Sequence, residues 1–310
     1  MSVRVAVIGV GHLGKHHARI LSSLPGVELV AVVDTNRARA DEIAAASGTR
    51  PRYDAREILG AVDAVTVAVP TELHRDIALP FLEAGIPVLV EKPMARSLAE
   101  ADEMINAGGD RGAMLAIGHT ERFNPALAVA RPHLTDPRFI EVHRLGTFPE
   151  RSLDIDVVFD LMIHDLDVVL SLVNSDVESL EAVGVPVVTN RVDIANARLR
   201  FANGCIVNLT ASRISREQVR KIRFFQTASY VSIDYAAQKV EMWRLVDAAQ
   251  GRPSIHGGEL EVSNEEPLKR ELEDFVGAVV SRGAPVVTGE AGRRALEVAE
   301  AITDKIRAAM

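Results

Sequence analysis

Short apolar runs rich in β-branched residues alternate with amphipathic stretches over the first 120 residues. The runs are Val3–Ile8, Val27–Val33, Ala64–Val69, Ile86–Val90 and Ala113–Ile117. Between them, apolar positions recur at helical spacing over Leu13–Leu24, Arg37–Ala46, His74–Ala84 and Leu98–Ala107. Strands that are apolar on both faces belong to a parallel sheet covered by helices on each side. Leu24-Pro25-Gly26, Ala84-Gly85-Ile86-Pro87 and Gly108-Gly109 punctuate the elements. The pattern predicts a doubly wound α/β domain of Rossmann type over residues 1–120.

Beyond residue 120 the pattern changes. Helices are predicted around Asn124–Leu134 and Val157–Leu172, then strand-like runs from Val177 to Leu245, several of them alternating every second residue. Asn203-Gly204, set between two such runs, predicts a hairpin with a type I′ turn, because both residues tolerate positive φ. Strands joined by hairpins give a mostly antiparallel open sheet, so residues 121–310 are expected to form an α+β domain. Helices over Pro267–Val280 and Glu290–Ala309 close the chain, the last expected to pack back on the first domain. Gln250–Glu266, rich in Gly, Pro, Ser and Glu, is expected to be a mobile loop. Trp243 is expected to pack on the sheet.

Composition narrows the partners. Of 310 residues, 47% are apolar and 25% charged, with 35 Lys plus Arg against 43 Asp plus Glu, a net charge of −8. That balance argues against a nucleic-acid-binding surface over the whole molecule, so an anionic ligand needs a local basic patch. Cys205 is the only cysteine, which leaves no internal disulfide and no thiolate metal site. No stretch approaches the roughly 18 apolar residues that span a bilayer. The first apolar run ends in a turn that belongs to the fold rather than in a cleavage site. The expectation is a cytoplasmic protein with no membrane partner.

Gly9-Val10-Gly11-His12-Leu13-Gly14 follows the first strand and opens the first helix, the setting in which three glycines hold a dinucleotide. Gly9 permits the tight turn, Gly11 lets the backbone approach the pyrophosphate, and Gly14 lets the helix pack on the strand. Asp34 stands 20 residues after Gly14, at the end of the second strand, where an acid accepts hydrogen bonds from the adenosine ribose. Its charge would repel a 2′-phosphate, so NAD is preferred over NADP. Arg37 and Arg39 could offset that preference but read first as solvated helix residues. His12 is placed near the pyrophosphate, with His16 and His17 on the solvated face.

Two further motifs carry candidate chemistry. Glu91-Lys92-Pro93 directly follows a strand, which brings Lys92 to the carboxyl edge of the sheet where α/β proteins bind ligands. Taken alone it reads first as a surface lysine at a strand end. Asp160, His164 and Asp167 fall on one face of a predicted helix whose flanks are strongly apolar. A polar face on a buried helix needs partners or a function. A core histidine capped by a carboxylate is the plain alternative. A mononuclear metal site is a weaker one, since no further ligands converge, and no metal is expected.

These three motifs, in this order and approximate spacing, resemble the Gfo/Idh/MocA family of sugar and cyclitol dehydrogenases. Thr288–Glu297 also resembles its C-terminal helix. The resemblance implies that Lys92, Asp160 and His164 form the catalytic group, with either Lys92 or His164 taking the hydroxyl proton. It also implies that Pro70, Thr71, His74 and Glu91 border the cofactor. The sequences around Asp156–Asp165, Gly118–Pro125 and Arg198–Arg213 resemble the branch that oxidises UDP-N-acetylglucosamine at the 3-position, a ketone used in making a diamino sugar of lipid A. Arg213, Arg216, Arg220, Lys221 and Arg223 lie within eleven residues against Glu217 alone, a basic stretch suited to a diphosphate. They equally suit charges along an edge strand. Arg122, Asn124, Arg213 and Lys221 are candidate substrate contacts beside Asp160 and His164, although Asn124-Pro125 also suits a helix start. Two other readings stand beside this one: a dehydrogenase of an uncharged sugar or inositol, and a non-catalytic NAD-binding sensor or partner protein. A homodimer or homotetramer built through the C-terminal sheet is expected.

Overall fold

The computed structural model describes residues 2–148, 155–246 and 253–310. The chain divides into two compact units, residues 1–120 with 266–296, and residues 121–265 with 297–310. The returning segment 266–296 thus belongs with the first unit, together with the first turns of the helix expected to pack back on it, although the domain boundary at 120 would place it in the second.

In the first unit the strands β1 (Val3–Ile8), β2 (Val27–Val33), β3 (Arg50–Arg52), β4 (Ala64–Val67), β5 (Val88–Glu91) and β6 (Leu115–Gly118) form one parallel sheet. Its order is β3-β2-β1-β4-β5-β6, the doubly wound order whose chain reverses direction at β1 and β4. Every residue of β4, β5 and β6 is buried, which explains their unbroken apolar sequences. The helices are α1 (Gly14–Leu21), α2 (Arg37–Ser47), α3 (His74–Glu83) and α4 (Leu98–Arg111), and α7 (Pro267–Ser281) comes from the returning segment. Val5, Val7, Ala18, Leu21, Leu89, Leu272 and Phe275 belong to one core cluster, so α7 covers the sheet beside α1. Gly108 and Gly109 do not interrupt α4, which runs on to Arg111 and is capped by Gly112 in the left-handed region.

The second unit holds α5 (Pro125–Ala130), β7 (Pro137–Leu145), α6 (Ile163–Leu172), β8 (Val177–Val185), β9 (Ile194–Phe201), β10 (Ile206–Ser212), β11 (Val219–Gln226), β12 (Ser229–Asp234), β13 (Lys239–Val246) and β14 (Ser254–Leu260). Their sheet order is β14-β13-β12-β11-β7-β10-β9-β8, antiparallel except for the parallel pair β7–β10. Along β9 the inward residues Ala195, Ala197, Leu199 and Phe201 alternate with exposed ones, so one face is packed and the other is open. The last helix, α8 (Gly289–Ala309), crosses the division between the units. In its first turns a Cβ at Gly292 would lie 2.6 Å from Ile117 Cγ1, and near its end Ile306 packs over Gly184 of β8.

Several expectations are corrected. The hairpin turn between β9 and β10 is a three-residue loop, Ala202–Gly204, because Phe201 pairs with Cys205 and only Gly204 has positive φ (85°). This is a type I turn closed by a left-handed glycine, not type I′. Part of the expected mobile loop is β14, hydrogen-bonded along β13, while Gln250–Arg252 lie outside the described residues. Its side chains are almost all exposed, so no apolar alternation marked it. Trp243 lies 40% exposed on β13 rather than packed within the sheet. β7 escaped the sequence reading because its third inward position is Arg144, which breaks the apolar alternation of Ile140 and Val142.

Candidate active site

The glycine turn rests on three different requirements. Gly9 takes φ 84°, and a Cβ there would meet the Ala68 carbonyl at 2.8 Å. A Cβ at Gly14 would lie 1.8 Å from Gly9 O, so the helix starts directly on the turn. Gly11 differs, since within 4 Å its Cβ would meet only Arg39 Nη1, at 3.7 Å. The first and third glycines serve the chain's own packing, and the middle one keeps open the space over the turn. Leu13 starts α1 with no side-chain cap, while Lys15 N and His16 N already donate to Gly11 O and Leu13 O, so the helix start facing the turn is open to an anion mainly through its dipole. His12 is exposed and Leu13 is half-buried.

Asp34 is positioned by backbone. Its Oδ2 accepts from Val10 N at 3.1 Å and its Oδ1 from Asn36 N at 2.8 Å. Arg39 is not merely solvated, because Nη1 lies 3.5 Å from Asp34 Oδ2. Arg37 instead stacks on Tyr53 at 4.3 Å. An open cradle at Gly11, a helix start without a side-chain cap and a fixed carboxylate one strand away fit a dinucleotide.

The carboxyl end of β4 stands beside this turn in the sheet order, and that of β5 one strand further on. After β4 come Pro70, exposed, and Thr71, half-buried. After β5 comes Lys92, half-buried and joined to Pro93 by a cis peptide bond. Two residues assigned to the cofactor are used otherwise. Glu91 is 5% exposed and its Oε1 lies 3.0 Å from Nε2 of His17, itself fully buried rather than on the solvated face. His74 is 1% exposed, with Nδ1 3.0 Å from Pro93 O and Nε2 2.9 Å from Val69 O, so both ring nitrogens already face backbone carbonyls. Burial holds its pKa below the ordinary histidine value, against the raising effect of those carbonyls.

In the second unit, Asp160 lies in a π-helical turn, Val158–Met162, that leads into α6, and His164 lies in the first turn of α6. Both are half-buried. Such a widened turn is a common local feature of functional helices. Asp167, one turn beyond His164 on α6, is buried with Oδ1 3.4 Å from Arg122 Nη1. Asp165 is buried too and takes both prongs of Arg144, Nε at 2.6 Å and Nη2 at 3.0 Å. Burial opposes the Arg144 charge, yet Asp165 and Glu121 outweigh it and raise the pKa. The carboxylates flanking His164 on the helix are therefore matched by arginines, and this network was invisible in the sequence. Two acids amid Leu, Val and Ile were the signal that buried cations had to exist.

The proposed substrate contacts fare unevenly. Arg122 is only 11% exposed on the Asp167 pair. Asn124 is buried, caps α5 through Ala126 N at 3.1 Å, and donates to Tyr235 O at 3.2 Å. Arg213 is 1% exposed, 3.3 Å from Asp193, and donates to the carbonyls of Ile155 and Val192. Lys221 reaches Asp234 at 3.4 Å and Arg223 reaches Glu141 at 2.9 Å, each across the sheet. The basic stretch is thus dispersed: its first arginine is interior, two members face acids on neighbouring strands, and Arg216 and Arg220 are exposed. Among the described residues no group of three His, Cys, Asp or Glu is arranged to hold a metal ion, and no helix is long and apolar enough to cross a membrane.

Residues 3–119 match the family model described as an oxidoreductase family with an NAD-binding Rossmann fold. The glycine turn, Asp34 and the sheet order therefore define the first unit as an NAD-binding domain of an oxidoreductase. Residues 129–231 match the GFO/IDH/MocA C-terminal domain, and the chain belongs to the Gfo/Idh/MocA family. It is 38% identical over 299 residues, 96% of this chain and 95% of the other, to UDP-N-acetylglucosamine 3-dehydrogenase of Acidithiobacillus ferrooxidans. A solved structure of that enzyme superposes with a TM-score of 0.93, covering 99% of each chain at 36% identity. The chain is also 28% identical, over 97% of its length and 96% of the other, to inositol 2-dehydrogenase of Rhizobium meliloti.

Proposed function

We propose that this protein oxidises the 3-hydroxyl of UDP-N-acetylglucosamine to a ketone with NAD, using Lys92, Asp160 and His164. The observation that carries the reading is the likeness over nearly the whole chain to the Acidithiobacillus ferrooxidans enzyme, together with a glycine turn that keeps its middle position open. NAD, when bound over Gly9–Gly14 with its ribose at Asp34, supplies the hydride acceptor. The residues of the chain handle the proton. The Lys92 amine or the His164 imidazole takes the hydroxyl proton as the C3–H bond gives up its hydride, and Asp160 orients the imidazole. One proton and one hydride leave the alcohol, and the carbonyl remains. Pro70, Thr71 and His12 border the cofactor in this reading.

A second reading is favoured by one observation. The stretch Arg213–Arg223 does not gather into a patch, and a diphosphate needs such a patch, whereas an inositol or free sugar does not. Turnover of UDP-N-acetylglucosamine with NAD, and none of inositols or free sugars, supports the first reading; the reverse supports the second. We further infer a cytoplasmic homo-oligomer joined through the C-terminal sheet. The exposed Val183, Val185 and Ile255 on its edge strands, with Leu245 on the adjoining β13, support that assembly.

A further inference from the structure

Lys92 lies between two residues that are each anchored by a buried imidazole from another part of the first unit. On its amino side, the Glu91 carboxylate is folded inward over Gly118, its register partner on β6. A Cβ at residue 118 would stand 2.8 Å from that carboxylate, so the glycine leaves the space Glu91 occupies. A carboxylate withdrawn from water needs a donor, and His17 Nε2 supplies it at 3.0 Å. His17 Nδ1 has no hydrogen-bond partner among the described residues. The ring proton therefore belongs on Nε2, aimed at Glu91. On the other side of Lys92, His74 lies between Pro93 O and Val69 O, its Nδ1 3.0 Å from the first and its Nε2 2.9 Å from the second, and the neutral ring donates to one of them.

His17 stands one turn into α1, the helix that opens on the glycine turn, and His74 is the first residue of α3. The two imidazoles thus tie the lysine segment to the connections after β1 and β4, which flank the cofactor crevice. We propose that His17, through Glu91, and His74, through Pro93, are positioning residues that fix the Lys92 amine relative to the cofactor turn. This rests on the reading that Lys92 serves hydride transfer from a sugar.

The test compares His17→Leu, His17→Gln and Lys92→Ala with the unchanged protein. Turnover of UDP-N-acetylglucosamine is measured per NADH-binding site, the sites being counted by fluorescence titration. A second readout needs no turnover: the rate at which an N-hydroxysuccinimide ester acylates Lys92, located by peptide mass spectrometry. His17→Leu should lower kcat by about 100-fold, the cost of a displaced catalytic group, with KM for the sugar and NADH affinity nearly unchanged. Acylation of Lys92 should become severalfold faster. His17→Gln, whose amide can still donate to Glu91, should restore most of both, and His74→Leu should repeat both changes. If His17→Leu does not fold, His17→Asn, whose amide stops short of Glu91, carries the same expectation. Wild-type kcat and acylation in His17→Leu would overturn the proposal. So would a kcat loss that only follows lost NADH sites while Lys92 labelling stays the same. Full turnover in Lys92→Ala would instead remove the proposed chemistry, and the acylation rate would still report whether His17 fixes that lysine.

Discussion

Arg39 rests its guanidinium 3.5 Å from the carboxylate of Asp34, beside the open face of Gly11. The acid proposed to select against a 2′-phosphate thus stands next to a cation that could accept one. Asp34 is nonetheless held by two backbone N–H groups, from Val10 and Asn36, which fix its carboxylate beside the glycine turn. Asp34→Ala should raise the Kd for NAD by about 10- to 100-fold, the worth of a hydrogen bond to a charged group, and affect NADP less. Calorimetric titration with both nucleotides measures this, and an unchanged ratio of affinities would contradict the role given to Asp34.

The three glycines separate folding from binding. Gly14→Ala places a methyl 1.8 Å from Gly9 O and should prevent stable folding of the first unit. Gly11→Ala meets nothing closer than Arg39 Nη1 at 3.7 Å and should fold with an unchanged Tm, yet bind NAD poorly. Thermal melts with and without NAD distinguish the two, because only a variant that binds gains Tm from the nucleotide.

Much of the first unit was legible for a physical reason. Strands buried on both faces spell out apolar runs, and a dinucleotide turn needs glycines at fixed spacing. His17 was legible too, although it was read as solvated. Gly14, His17, Ala18 and Leu21 are all buried and recur at positions one, four, five and eight of α1, the inner stripe of a helix. The second unit was harder because its interior is polar in places. Arg144 and Arg213 occupy inward positions, and no local pattern reveals that their acids, Asp165 and Asp193, lie on distant segments. The π-helical turn at Val158–Met162, which holds Asp160, likewise has no sequence period of its own.

The Arg144–Asp165 pair predicts a large and asymmetric effect. Arg144→Met leaves Asp165 buried without its bidentate partner and should destabilise the second unit by about 3–5 kcal/mol. Adding Asp165→Leu should recover much of that loss. Denaturant unfolding of both variants checks the sign, and a single variant as stable as the parent would contradict a buried pair.

Asp193 gives a pH dependence with a definite sign. Burial works against its charge, but the N–H groups of Val187, Val188 and Thr189 and the Thr189 hydroxyl outweigh burial and lower its pKa to about 2. The unfolded chain binds this proton near the ordinary aspartate value of about 3.9. The stabilisation is therefore complete above that value and is lost as pH falls from about 4 towards 2, by roughly 2–3 kcal/mol in all. Asp193→Asn should be less stable at neutral pH and should lose this part of the acid dependence, as read from urea midpoints at a series of pH values.

The most direct test of the account is hydride transfer itself, followed by the absorbance of the reduced nicotinamide with UDP-N-acetylglucosamine and NAD. The unchanged protein should reduce NAD, while Lys92→Ala and His164→Ala should bind NAD normally and give almost no turnover. Full turnover in both variants, or none in the unchanged protein with any sugar, nucleotide sugar or inositol, would contradict it.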